Sequence, residues 1–133
     1  MTTLHANIPL RINALFDYVV RRMTMRGLKV LVLIFWTVLV TITVLALLSL
    51  GSEGGMVFIT DFSHPWRAQF NADFLMHIAL FCIWVFYREE SKIVGLIAAL
   101  FSLMGGLFTL IYLAYALHLA NGNPRKFLLG AHA

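Results

Sequence analysis

Charge is scarce in this sequence. Asp, Glu, Lys and Arg make up 12% of its 133 residues, against about 25% in an ordinary soluble domain. Acid is scarcest, with six carboxylates against ten cations and a net charge of +4. Almost no room is left for a water-soluble globular fold. There is one cysteine, Cys82, inside an apolar segment, so an intramolecular disulfide and a cysteine metal motif are both excluded. The three prolines, Pro9, Pro65 and Pro124, stand at the edges of apolar runs rather than within them. What is abundant is hydrophobicity, at 61%. At about 20 apolar residues per membrane crossing, the chain holds three spans, or four at most. A large transporter, or an enzyme with a separate soluble domain, is not expected.

The clearest span is 30–50, VLVLIFWTVLVTITVLALLSL, which is free of charge and lies between Lys29 and Gly51-Ser52-Glu53-Gly54-Gly55. Its length exceeds that of a signal-peptide core and no A-x-A cleavage pattern follows, so it reads as a retained anchor. Ahead of it, Pro9 suits a first helical turn, and Ile12, Leu15, Phe16, Val19 and Met23 share one helical face. Residues 8–26 therefore read as an amphipathic helix. Two placements stand: a helix on the cytoplasmic membrane surface, with Arg21, Arg22, Arg26 and Lys29 near anionic lipid headgroups, or an extension of the first span.

The second span, 65–87, reaches full length only by taking in Arg67, Gln69, Asn71, Asp73 and His77. As a helix it gathers Trp66, Phe70, Asp73, His77, Leu80 and Trp84 on one side. Leu75, Ile78, Cys82, Val85 and Phe86 lie opposite. The first side is expected to face the protein and the second to face lipid. Tyr87-Arg88-Glu89-Glu90-Ser91-Lys92 reads as a solvated turn, one that can also dock a cytoplasmic partner. The third span, 93–119, follows as a single helix. On it Gly95, Ala98, Ala99, Ser102, Gly105 and Gly106 form a small-residue packing face, joined by Thr109. Asn121-Gly122 ends that helix and Pro124 prevents its resumption, with the tail folding back at the interface. Segment 51–64 reads as either a short strand-like stretch or a dip into the interface.

Basic residues set the orientation. Arg11, Arg21, Arg22, Arg26, Lys29, Arg88 and Lys92 fall on one side of this three-span topology, and Arg67, Arg125 and Lys126 on the other. That bias predicts a cytoplasmic-membrane protein with its N-terminus in the cytoplasm and its C-terminus outside. Clustered before the first span, the cations serve topology rather than nucleic-acid binding.

Asp73 is the one carboxylate within a predicted span, and His77 lies one turn away. Counting about 1.5 Å per residue from Tyr87, His77 is about 15 Å deep and Asp73 about 21 Å. On the same count Ser102 lies about 14 Å and Thr109 about 24 Å in, so the four are expected to meet as an intramembrane polar site. Such a site either glues helices together or handles a proton or ligand. No catalytic set is complete, no metal site is expected, and no cofactor is implied. His77 and His118 differ too much in depth to share a haem. Thr37 and Thr41 either reach Asp73 or bond their own helix backbone.

The series Asp73, Trp84, Tyr87-Arg88-Glu89, Ser91, then Gly105 or Gly106 and Tyr112 or Tyr115, resembles a family of small membrane proteins grouped only as a domain of unknown function. That resemblance implies a fold and no activity. The D-x-x-x-H spacing is also similar to that of VanZ-like membrane proteins, although Phe74 stands where their basic residue follows the aspartate and their later glutamate is missing. The expectation is an all-α integral membrane protein of three transmembrane helices preceded by an amphipathic helix. The expected role is a noncatalytic accessory or assembly subunit, or a homo-oligomer. A small transporter or lipid-binding protein using Asp73 and His77 is the second reading, and a membrane-embedded enzyme acting on a lipid-like substrate the third.

Overall fold

The structure is a computed structural model that describes the backbone of residues 8–133 and the side chains of residues 24–133. All regular elements among the described residues are helical. α1 runs Ile8–Leu50, 43 residues without a break, so residues 8–26 extend the first span rather than forming a separate helix. The face carrying Ile12, Leu15, Phe16, Val19 and Met23 lies outside the described side chains. At about 1.5 Å per residue, α1 is about 65 Å long. Its part from Thr24 to Leu50 is long and apolar enough to cross a membrane, as is α3, Pro65–Arg88.

Between them, α2 (Gly54–Thr60) and a 3-10 turn over Asp61–Ser63 replace any strand. Phe58 of α2 packs edge-on against Phe74 of α3, with ring centroids 6.3 Å apart, and its carbonyl accepts from Asn71 Nδ2 at 3.2 Å. α3 starts on Pro65, where a missing N–H does no harm.

The expected third span is two helices, α4 (Lys92–Ser102) and α5 (Gly106–Ala120). Ser91 caps α4, its hydroxyl accepting from the Val94 N–H. At the far end the ladder tightens to i−3 bonds, Leu103 to Leu100, Met104 to Phe101 and Gly105 to Ser102. Gly105 then turns the chain at φ +68° and ψ −144°, a region that a residue with a Cβ avoids. The two halves are 11 and 15 residues long, each short of a full crossing.

Contacts fix their directions. α4 runs antiparallel to α3: Gly95 lies against Phe86, Cys82 Sγ donates to the Ala99 carbonyl at 3.3 Å, and Gly105 lies against Phe74. α5 then returns alongside α4, with Phe101 and Phe108 stacked at 5.4 Å, and Tyr112 comes back to Arg88. Against α1, Trp36 Nε1 donates to the Leu107 carbonyl at 3.0 Å, and Lys29 meets His118. α4 and α5 are therefore a helical hairpin. Lys29, Arg88, the end of α5, and α6 (Pro124–Leu129) gather at one end of the bundle, while Leu50, α2 and Pro65 mark the other. This corrects the continuous third span. The C-terminal segment lies at the same end of the bundle as Lys29 and Arg88.

The core is small: Val85, Ala98, Tyr112 and Ala116 are buried, flanked by Phe81, Trp84, Phe108 and Phe127. Exposed apolar residues are far more numerous. Leu45, Leu48, Met76, Leu80, Ile83 and Leu103 are among those more than half exposed. Monomers that live in water rarely show contiguous apolar patches beyond a few hundred Å².

Candidate functional site

Asp73 and His77 are together, as their spacing requires, but they face outward. His77 Nδ1 lies 2.8 Å from the Asp73 carbonyl and 3.6 Å from its carboxylate, with side chains 72% and 56% exposed for His77 and Asp73 respectively. Around them Trp66, Phe70 and Leu80 are exposed too. The side that packs inward carries Asn71, Ile78, Val85 and Arg88. Asp73 and His77 thus lie outside and Ile78 and Val85 inside, contrary to expectation, while Trp84 packs inward and Leu75 and Phe86 stay exposed as expected. The reason is steric: α4 offers Gly95 and Ala99, and these fit the Phe86 and Cys82 side of α3 closely.

Ser102 and Thr109 do not complete a site with the pair. Ser102 is fully buried and donates to the Ala98 carbonyl at 2.8 Å, a bond within its own helix. Thr109, half-buried, sits in the first turn of α5, and its N–H donates to the Gly105 carbonyl. The small residues divide between neighbours as well. Gly95 and Ala99 meet α3, Ala98 joins the core, Gly105 meets Phe74, and a Cβ on Gly106 would stand 2.6 Å from Leu39 of α1. They pack within the chain. Thr37 and Thr41 bond back to the carbonyls of Leu33 and Thr37.

The most interlocked polar group lies where a solvated turn is expected. Arg88 is 3% exposed. Its Nε donates to the Phe127 carbonyl at 3.0 Å, and its Nη1 lies 3.0 Å from both Glu89 Oε1 and the Tyr112 hydroxyl. Tyr112 in turn donates to Glu89. The guanidinium also lies 5.6 Å from the Tyr112 ring centroid and 5.9 Å from that of Trp84, whose Nε1 donates to the Leu128 carbonyl at 3.0 Å. Asn123 caps α6 through the Arg125 and Lys126 N–H groups. Gly130, at φ +56°, then passes so close to Arg88 that a Cβ would stand 2.5 Å from its Cγ. One charged side chain thus joins the end of α3 to α5 and to the C-terminal segment.

Every buried side-chain polar atom among the described residues has a hydrogen-bond partner. The arginine network therefore ties α3, α5 and the C-terminal segment together. Sequence reasoning missed it because Tyr112 is 24 positions from Arg88. The available signal was the series Trp84, Arg88, Glu89 and Tyr112 in the family resemblance. Among the described residues, no group of three or more His, Cys, Asp or Glu gathers to hold a metal. Arg21 and Arg22 lie outside the described side chains. No family model, curated protein or solved structure matches the chain.

Proposed function

We propose that this chain is a noncatalytic subunit of the cytoplasmic membrane, built of two crossing helices and a re-entrant hairpin, that docks through the Asp73–His77 face of α3. In this reading the end bearing Lys29 and Arg88 lies in the cytoplasm, where Arg26, Lys29 and Lys92 meet anionic headgroups. The hairpin enters from that side. The length of its halves and the burial of Ser102 and Gly105 at its apex support this, since irregular backbone at membrane depth must be covered by protein.

The observation that carries the role is the outward exposure of Asp73 and His77 within the otherwise apolar stretch 72–86 of α3. Counted from Arg88, they stand about 22 and 16 Å along α3. An ionisable group facing lipid at that depth costs about 2.5–3.5 kcal/mol on insertion scales. Covering it with another membrane segment removes that cost, and one acid beside one base suits either a polar partner helix or a second copy. The small-residue faces are occupied within the chain, so docking falls to this face.

The test is native mass spectrometry of the full chain extracted in mild detergent, beside the double variant Asp73→Leu, His77→Leu. The reading predicts that the wild-type chain carries a second copy or a membrane-protein partner and that the folded variant is released as a monomer. A monomeric wild type, or an unchanged assembly in the variant, contradicts it. Dependence of an extracted small ligand on Asp73 would favour the transport or ligand-binding alternative.

A further inference from the structure

Where α1 leaves its apolar stretch, Arg26 and Lys29 face the last turn of α5 across a cavity of about 140 Å³, lined also by Leu117, His118, Asn121 and Gly122. That is several times the roughly 30 Å³ that one water occupies. Lys29 Nζ lies 3.1 Å from His118 Nδ1. A lysine ammonium only donates, so Nδ1 accepts and the other ring nitrogen bears the proton, as a further donor. No carboxylate among the described residues lines the cavity. The ion pairs among the described residues, Arg67–Asp61, Asp73–His77 and Arg88–Glu89, leave Arg26 and Lys29 without an acid.

Basic side chains beside a helix C-terminus ordinarily donate to its free carbonyls. Here Lys29 reaches an imidazole instead. Among the described residues, a guanidinium, an ammonium and an imidazole therefore line one cavity with no carboxylate beside them. Arg and Lys together suit a tetrahedral oxyanion, the first by its planar fork and the second as a point charge.

We propose that this cavity binds a phosphate group. A phospholipid headgroup is its natural source, because Val30 and Leu33, one turn along α1 from Arg26 and Lys29, are exposed and offer an apolar surface that an acyl chain would follow. That source rests on the membrane reading above. The phosphate chemistry does not.

The test uses the full chain in mild detergent with two probes, phosphatidylglycerol and inorganic phosphate, read by native mass spectrometry and by thermal shift. The site predicts that wild-type protein retains phosphatidylglycerol and that Arg26→Gln, Lys29→Gln weakens retention by about tenfold or more, the loss expected for charge-assisted contacts. Arg125→Gln, an exposed cation outside the cavity at the same end, should bind as wild type does. Stabilisation by inorganic phosphate alone, abolished by the double variant, would support the site with a free anion as its source. If the double variant melts lower without any probe, the exposed single change Arg26→Gln carries the comparison. Equal binding of both probes by wild type and cavity variants, or an equal loss in Arg125→Gln, overturns the proposal. A failed α3 interface would leave these outcomes unchanged.

Discussion

Arg88 Nη1 stands 3.0 Å from the hydroxyl of Tyr112, joining the last turn of α3 to the middle of a helix that would, as part of a single third span, have carried Tyr112 away towards the opposite end. The contact exists because Gly105 reverses the chain. It is also the reason the C-terminal segment can close over Arg88.

Tyr112→Phe keeps the ring contacts with Phe81 and Trp84 and removes one hydroxyl from a buried network. The Glu89 carboxylate and Arg88 each lose a partner, so a destabilisation of about 1–3 kcal/mol is expected. A lower thermal midpoint in detergent, with helicity unchanged, is the readout; an unchanged midpoint would remove Tyr112 from the clasp.

Arg88→Ala should be more severe. It leaves the Glu89 carboxylate, 17% exposed, without its cation, and breaking a buried pair by removing one partner costs about 3–5 kcal/mol. Adding Glu89→Gln should recover part of that loss. Chemical denaturation of both variants measures the recovery, and a double variant no better than the single would show that the charge is not what matters.

Gly105→Val places a Cβ 2.9 Å from Phe74 Cζ at a backbone angle that L residues rarely adopt. Strain of about 1–3 kcal/mol follows, and the hairpin should open. Protease sensitivity between residues 102 and 106 in detergent should rise; a variant as resistant as wild type would place the turn elsewhere.

Asp73→Asn should behave in the opposite way. Because the Asp73 and His77 side chains are more than half exposed, with no hydrogen bond or ion pair to another helix among the described residues, the folded monomer should melt within about 0.5 kcal/mol of wild type, as surface substitutions do. A large loss of stability would return the pair to the interior of the bundle.

Much of this fold was legible from apolar run length and punctuation. The run 30–50 is too long and too apolar for anything but a long helix, 65–87 reaches helical length once its polar first half is included, and Asn121, at φ 45°, ends α5 where Asn-Gly and the following Pro124 predict. The hairpin was not legible, because glycine carries two meanings. Gly105 and Gly106 serve close packing as readily as a reversal, and only the neighbours Phe74 and Leu39 decide between them. The inward side of α3 differs from expectation for a related reason. Polarity points Asp73 and His77 inward, but the interior goes to the side that the small residues of α4 fit, leaving the pair outward. Arg88 looked like a solvated turn residue because the groups that bury it, Tyr112 and the Phe127 carbonyl, lie far along the chain.

The central claim is that α4 and α5 form a hairpin that returns the C-terminal segment to the end bearing Lys29 and Arg88. Cysteine accessibility in sealed membrane vesicles tests it directly, in a Cys82→Ala background with Ser52→Cys, Glu90→Cys or Ala131→Cys introduced singly. A membrane-impermeant thiol reagent should reach residues 90 and 131 from one side and residue 52 from the other; labelling of 131 from the same side as 52 would contradict the hairpin.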